Sequence, residues 1–213
     1  MDAVTFGPLA AALMLLLISF PVHEAAHATA AWKLGDGHAR ALGRVSLDPR
    51  RHIDPLGAAL LLLSALSGGG MIGWAKPTPI MPQSLRGGSL GWALVAVAGP
   101  LSNLALATVG AALFRVLGGP PLSELVGTFL VYFTYFNVGL CFLNLLPIPP
   151  FDGRALVTGV LALASPRLSN ALERLTASRL AFPLVIALLF FTPLGSLLGQ
   201  VSLYVTRLLL GEG

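Results

Sequence analysis

Apolar residues in this chain gather into long runs separated by short polar stretches, and the run lengths set the first expectations. From about Val4 to Trp32 the chain is apolar enough to cross roughly 30 Å of hydrocarbon with a margin for tilt, and Leu9 to Phe20 is almost without polarity. Two more runs predict spans, Leu90 to Leu117 and about Glu124 to Leu146. A fourth, Ala181 to Leu210, is interrupted near Pro193 and Gly195 and reads as one kinked span or two short ones. Ala155–Ala164 and Arg167–Arg179 predict shorter, partly amphipathic helices. In the polar stretch Lys33–Asp54, Leu42 to Pro49 alternates partly and reads as a short strand ended by proline. Pro55 to Trp74 is apolar but carries Gly57 and the run Gly68–Gly70, and three prolines in Lys76–Pro82 force that piece to be extended. No internal repeat is apparent. The pattern predicts an all-α polytopic membrane protein in a single domain over 1–213. Its three-helix core occupies about 4–155, with a short strand and a re-entrant insertion, and additional helices follow at about 156–210.

Charge placement adds a topology. The loop after the first span holds Lys33, Arg40, Arg44, Arg50 and Arg51, so the positive-inside rule puts it in the cytoplasm and the N-terminus outside. If Pro55–Trp74 crossed fully, Asp152 and the basic segment Arg154, Arg167, Arg174 and Arg179 would emerge externally, away from His23 and His27. A segment that dips in and returns removes both conflicts and makes the Gly118–Ser123 turn external. The N-terminus has Asp2 where a signal peptide would be basic, and its apolar run continues into the most polar site of the span, so it reads as a permanent span.

Composition agrees with lipid as solvent. Hydrophobic residues make up 55% of the 213 and charged ones 10%, where a soluble domain carries about 25%. Mean hydropathy is +0.83. The 13 basic residues form no long run, so the net charge of +4 is a topology signal and gives no support to nucleic-acid binding. Cys141, the only cysteine, can form no intramolecular disulfide and reads as a small buried side chain.

Chemistry concentrates at His23-Glu24-Ala25-Ala26-His27. Residues four apart lie one above the other on a helix, so His23 and His27 can offer two imidazoles to one metal ion. Glu24, roughly 100° further round, stands beside the metal, where a carboxylate takes a proton from water in H-E-x-x-H hydrolases. Ionisable groups inside an apolar span are costly and read as functional. Asp152 follows a break made by Pro147, Pro149 and Pro150, and is either a third ligand or the N-cap of the next helix. His38 and His52 suit loop hydrogen bonds, Asp48 and Asp54 precede prolines and suit turns, and Gly99 suits close helix packing.

Three stretches, His23-Glu24-x-x-His27, Ala98-Gly99-Pro100 with Asn103, and Asn144-Leu-Leu-Pro-x-x-Pro-x-Asp152-Gly153, resemble the signatures of the site-2 protease family, in family order over about residues 10–155. The chain is similar to the compact bacterial form without a PDZ domain. The resemblance implies an intramembrane zinc metalloprotease of a prokaryotic plasma (inner) membrane, cutting transmembrane protein substrates with its active site toward the cytoplasmic side. It implies one zinc ion on His23, His27 and Asp152, Glu24 as general base, and Asn144 holding substrate or the tetrahedral intermediate. Phe151 and Arg154 stand where leucine and glycine are frequent, and neither removes a chemical group. Arg44–Leu47 is the candidate strand whose edge would catch an unwound substrate. Two competing readings are a membrane metal-binding or transport protein, against which Glu24 argues, and an inactive scaffold, which would have lost some of these groups.

Overall fold

The structure is a computed structural model that describes residues 3–67, 71–117, 124–176 and 181–212. Helix α1 (Ala3–Met14) runs through a π-helical turn (Leu15–Ser19) into α2 (Phe20–Lys33). Pro21 brings no N–H to this ladder, and the wider turn before it, closed by Phe20 N–H to the Leu15 carbonyl, takes up the mismatch. The helix therefore loosens just before His23. A short α3 (His38–Ala41) opens the polar loop.

The strand expected at Leu42–Pro49 does not form. Burial there does not alternate: Leu42 and Leu47 are exposed, while Arg44, which would share a strand face with Leu42, is buried with a hydrogen bond to the Lys76 carbonyl. The buried guanidinium dictates the path, and among the described residues the single β-type pairing is an isolated antiparallel bridge between Ile53 and Ala75.

That bridge defines the insertion. Helix α4 (Pro55–Ser67) has 13 residues, about 20 Å, too short for a bilayer. The chain then returns to its starting point, where the Lys76 N–H donates to the His52 carbonyl at 2.7 Å. The two arms meet backbone to backbone: a Cβ on Gly57 would lie 2.3 Å from the Trp74 carbonyl oxygen, and one on Gly73 2.5 Å from Leu61 Cβ. Entry and exit thus share one end, as expected of a re-entrant segment. The Gly68–Gly70 tip lies outside the described residues.

Helices α5 (Gly88–Val116) and α6 (Glu124–Asn144) complete the core, and the expected turn at Gly118–Ser123 is outside the described residues. With Gly7–Lys33 they give three helices long and apolar enough to cross a membrane. Small buried residues (Ala28, Ala31, Ala93, Val95, Ala96) line the α2–α5 approach, as suits packing in lipid, where close backbone contact replaces the hydrophobic drive. After the proline-rich turns come α7 (Asp152–Ala164) and α8 (Pro166–Thr176), then α9 (Ala181–Phe191) and α10 (Pro193–Leu210). Thr192 caps α10 by accepting from the Leu194 N–H, so 181–210 is two helices. Arg179, at the end of the expected Arg167–Arg179 helix, is outside the described residues. The protein is an all-α polytopic membrane protein.

Candidate metal centre

His23 and His27 project from one face of α2 toward α5 and the start of α7. Their Nε2 atoms lie 3.0 Å apart, and each is 3.2 Å from Oδ2 of Asp152. Asp152 is the first residue of α7 and makes no capping bond; its carboxylate is turned to the imidazoles. Sequence positions 23, 27 and 152 are thereby brought to one point, the two histidines buried and Asp152 partly exposed.

The outer ring nitrogens fix what the inner ones can do. His27 Nδ1 donates to the Val95 carbonyl at 2.8 Å, and His23 Nδ1 donates to Asn103 Oδ1 at 2.5 Å. With the proton on Nδ1, a neutral imidazole presents a bare lone pair at Nε2. With both rings neutral, two such lone pairs and a carboxylate oxygen converge, an arrangement that a cation stabilises. Tetrahedral zinc with bonds of about 2.0–2.1 Å sets its ligands roughly 3.3 Å apart, so both spacing and donor set fit one such ion. Gly99 makes room, for a Cβ there would lie 2.3 Å from His27 Nε2 and 2.6 Å from His23 Nε2.

Glu24 is held by the returning arm of the insertion. Its Oε2 accepts from the Thr78 N–H at 2.7 Å and the Thr78 hydroxyl at 2.6 Å, and the Arg44 guanidinium stands 3.8 Å away. Burial lowers the pKa of Arg44, and the nearby Glu24 carboxylate opposes that shift. With Oε2 so engaged, Oε1 is the oxygen available to a water. A cavity of about 460 Å³ joins these groups, lined by His23, Glu24, His27, Thr78, Asn144 and Asp152 among others. Asn144 gives one Nδ2 hydrogen to the Leu140 carbonyl at 3.0 Å and keeps a second for the cavity.

The remaining residues singled out from the sequence lie elsewhere. His52 is fully buried and donates from Nε2 to the Ser46 carbonyl. Asp48 and Asp54 accept from backbone N–H groups two or three residues on, and Cys141 is a buried free thiol. The motifs give no role to Asn103, and they do not point to Asn137, Thr78 or the inward Arg44. Amides within apolar spans are the available signal, since such groups are costly unless partnered.

No family model matches the chain, and no solved structure gives a significant match. Curated proteins do. "Putative zinc metalloprotease YwhC" of Bacillus subtilis is 33% identical over 190 residues, covering 86% of this chain and 81% of that protein. "Putative zinc metalloprotease Rip2" of Mycobacterium tuberculosis is 34% identical over 180 residues, 82% of this chain and 64% of that protein. Its namesake in Mycolicibacterium smegmatis is 33% identical over 140 residues, 64% of this chain and 52% of that protein. With the signature groups gathered at one point and this likeness over most of its length, the chain belongs to the site-2 protease family.

Proposed function

We propose that this protein is a zinc endopeptidase that hydrolyses peptide bonds within or near the transmembrane segments of other membrane proteins. The observation that carries the reading is the meeting of three lone-pair donors, His23, His27 and Asp152, beside a carboxylate in a cavity walled by membrane-length helices. Zinc held there supplies a Lewis acid that acidifies water and polarises an amide carbonyl. Glu24 accepts the proton of the attacking water on Oε1 and returns it to the departing amine as the C–N bond breaks. The free Nδ2 hydrogen of Asn144 supports the oxyanion, a contribution of about 3 kcal/mol in comparable sites. In this reading the Gly73–Ile80 arm, six of whose residues line the cavity, faces the substrate in place of Arg44–Leu47. A helical substrate must unwind to expose its carbonyl, and an extended neighbour suits an unwound chain. On the same reading the membrane is the plasma membrane of a prokaryote and the site lies toward the cytoplasm, a sidedness supported by the basic residues of the loop after α2.

The test is bound zinc, together with cleavage of a transmembrane-helix reporter, on protein purified in detergent. Wild type should carry one zinc and cleave. Glu24→Gln should keep its zinc and lose about 10²–10⁴-fold in rate, the usual worth of general acid–base catalysis. Asp152→Ala should lose zinc. Full zinc without cleavage of any reporter would favour a metal carrier, and no zinc in fresh wild type would overturn the proposal.

A further inference from the structure

The two histidines are oriented by different means. His27 leans on a backbone carbonyl, which no side-chain substitution removes. His23 depends on a relay of side chains across three helices. Asn137 Nδ2 on α6 donates to the Phe133 carbonyl at 2.9 Å, and Asn103 Nδ2 on α5 donates to Asn137 Oδ1 at 3.2 Å. Asn103 Oδ1 then accepts from His23 Nδ1 on α2. Both asparagines are fully buried, and neither lines the cavity.

The relay has one possible polarity. A backbone carbonyl only accepts, so Asn137 must turn its NH₂ to Phe133 and its oxygen to Asn103. Asn103 must then turn its NH₂ to Asn137 and its oxygen to His23. That oxygen only accepts, so in the neutral ring the proton of His23 sits on Nδ1 and its Nε2 is bare. Each orientation follows from a group that cannot donate, which settles amide directions otherwise open to assignment.

We propose that Asn137 is a positioning residue for the metal site: through Asn103 it fixes the His23 tautomer that leaves Nε2 free for the ion. Without Asn137 the Asn103 amide is free to turn over and present its NH₂ to His23. Nδ1 must then accept, and the proton moves to Nε2, where it blocks the metal. The inference rests on the metal reading of His23, His27 and Asp152. Partners one step removed from a ligand commonly set metal affinity by 10–100-fold.

The test is the zinc dissociation constant of the full-length protein in detergent, by chelator competition, with the melting temperature of the metal-free form as a check on folding. Asn137→Leu, close in volume but with no polar group, should bind zinc about 10–100-fold more weakly than wild type. Asn137→Asp should bind nearly as wild type, because an aspartyl oxygen still accepts from Asn103 whether or not the group is ionised. A packing role predicts the reverse, since leucine suits an apolar helix interface and aspartate does not. Should Asn137→Leu fail to fold, Asn103→Leu carries the same expectation. Zinc affinity in the leucine variants equal to wild type would overturn the inference and leave the metal site standing. So would equal weakening by leucine and aspartate at position 137. Absence of zinc in wild type would instead overturn the function on which it rests.

Discussion

Gly99 shows how little space the centre allows. A methyl group there would sit 2.3 Å from His27 Nε2, inside any van der Waals contact, with the backbones of α2 and α5 already close. Gly99→Ala should therefore lose bound zinc and reporter cleavage together, while circular dichroism stays helical. Thr78 acts on the other reacting group. Thr78→Val keeps the backbone N–H bond to Glu24 and deletes the hydroxyl one, and a hydrogen bond to a charged group is worth about 1.5–3 kcal/mol. Its kcat should fall about 10–100-fold with zinc content unchanged, and Thr78→Ser should restore it. At this scale the meeting of His23 with His27 was legible, because helical spacing alone pairs them. Thr78 and Asn137 were not, because their importance lies in partners 54 and 34 residues away, a pairing that only the packed helices reveal.

The insertion and polar loop are elements whose interior is charged. Arg44 and His52 lie inside, joined to the returning arm through the Lys76 carbonyl and N–H. Reading Leu42–Pro49 as a strand assumes that its apolar residues turn inward; instead Arg44 is buried beside Glu24 while Leu42 and Leu47 are exposed. The return of Pro55–Trp74 was the favoured path over a full crossing, since it kept Asp152 on the side of the histidines, whereas the bridge at Ile53 and Ala75 has no local signature. His52 gives this element a pH dependence. Burial, with Arg44 adding to it, pushes its pKa below 6.5, while the Ser46 carbonyl, Glu24 and Asp48 pull the other way. The unfolded chain then binds the proton more readily, so the stabilisation is complete above pH 6.5 and is lost as pH falls toward the folded pKa. Amide exchange over residues 42–54 should quicken between about pH 7 and 5 beyond its intrinsic pH trend, and His52→Asn should flatten that excess.

For the whole molecule, composition and run length sufficed to read a helical membrane protein, because lipid permits few other solutions. Sidedness is open to direct measurement. In a Cys141→Ala background, single cysteines at Leu56 and Lys76, the two arms of the insertion, should react with an impermeant maleimide from the cytoplasmic face. A cysteine at Val116, the 82% exposed end of α5, should react from the other. Labelling of the two arms from opposite sides would refute the re-entrant path. A metal on His23, His27 and Asp152 would also join elements far apart in sequence, so free zinc at about 100 times its dissociation constant should stabilise the fold by about 2.7 kcal/mol. That gain should show as a higher melting temperature in wild type and be missing in Asp152→Ala.

The spacing of the ligands has a consequence for biosynthesis. His27 and Asp152 are 125 residues apart. At synthesis rates of about 5–20 residues per second, roughly 6–25 seconds pass between the making of one and the other. During that interval the first helices carry His23, Glu24 and His27 without the Asp152 carboxylate that meets them in the folded chain. On the proposed reading, a nascent chain of this kind holds an incomplete ligand set until Asp152 has been made and α7 has packed against α2.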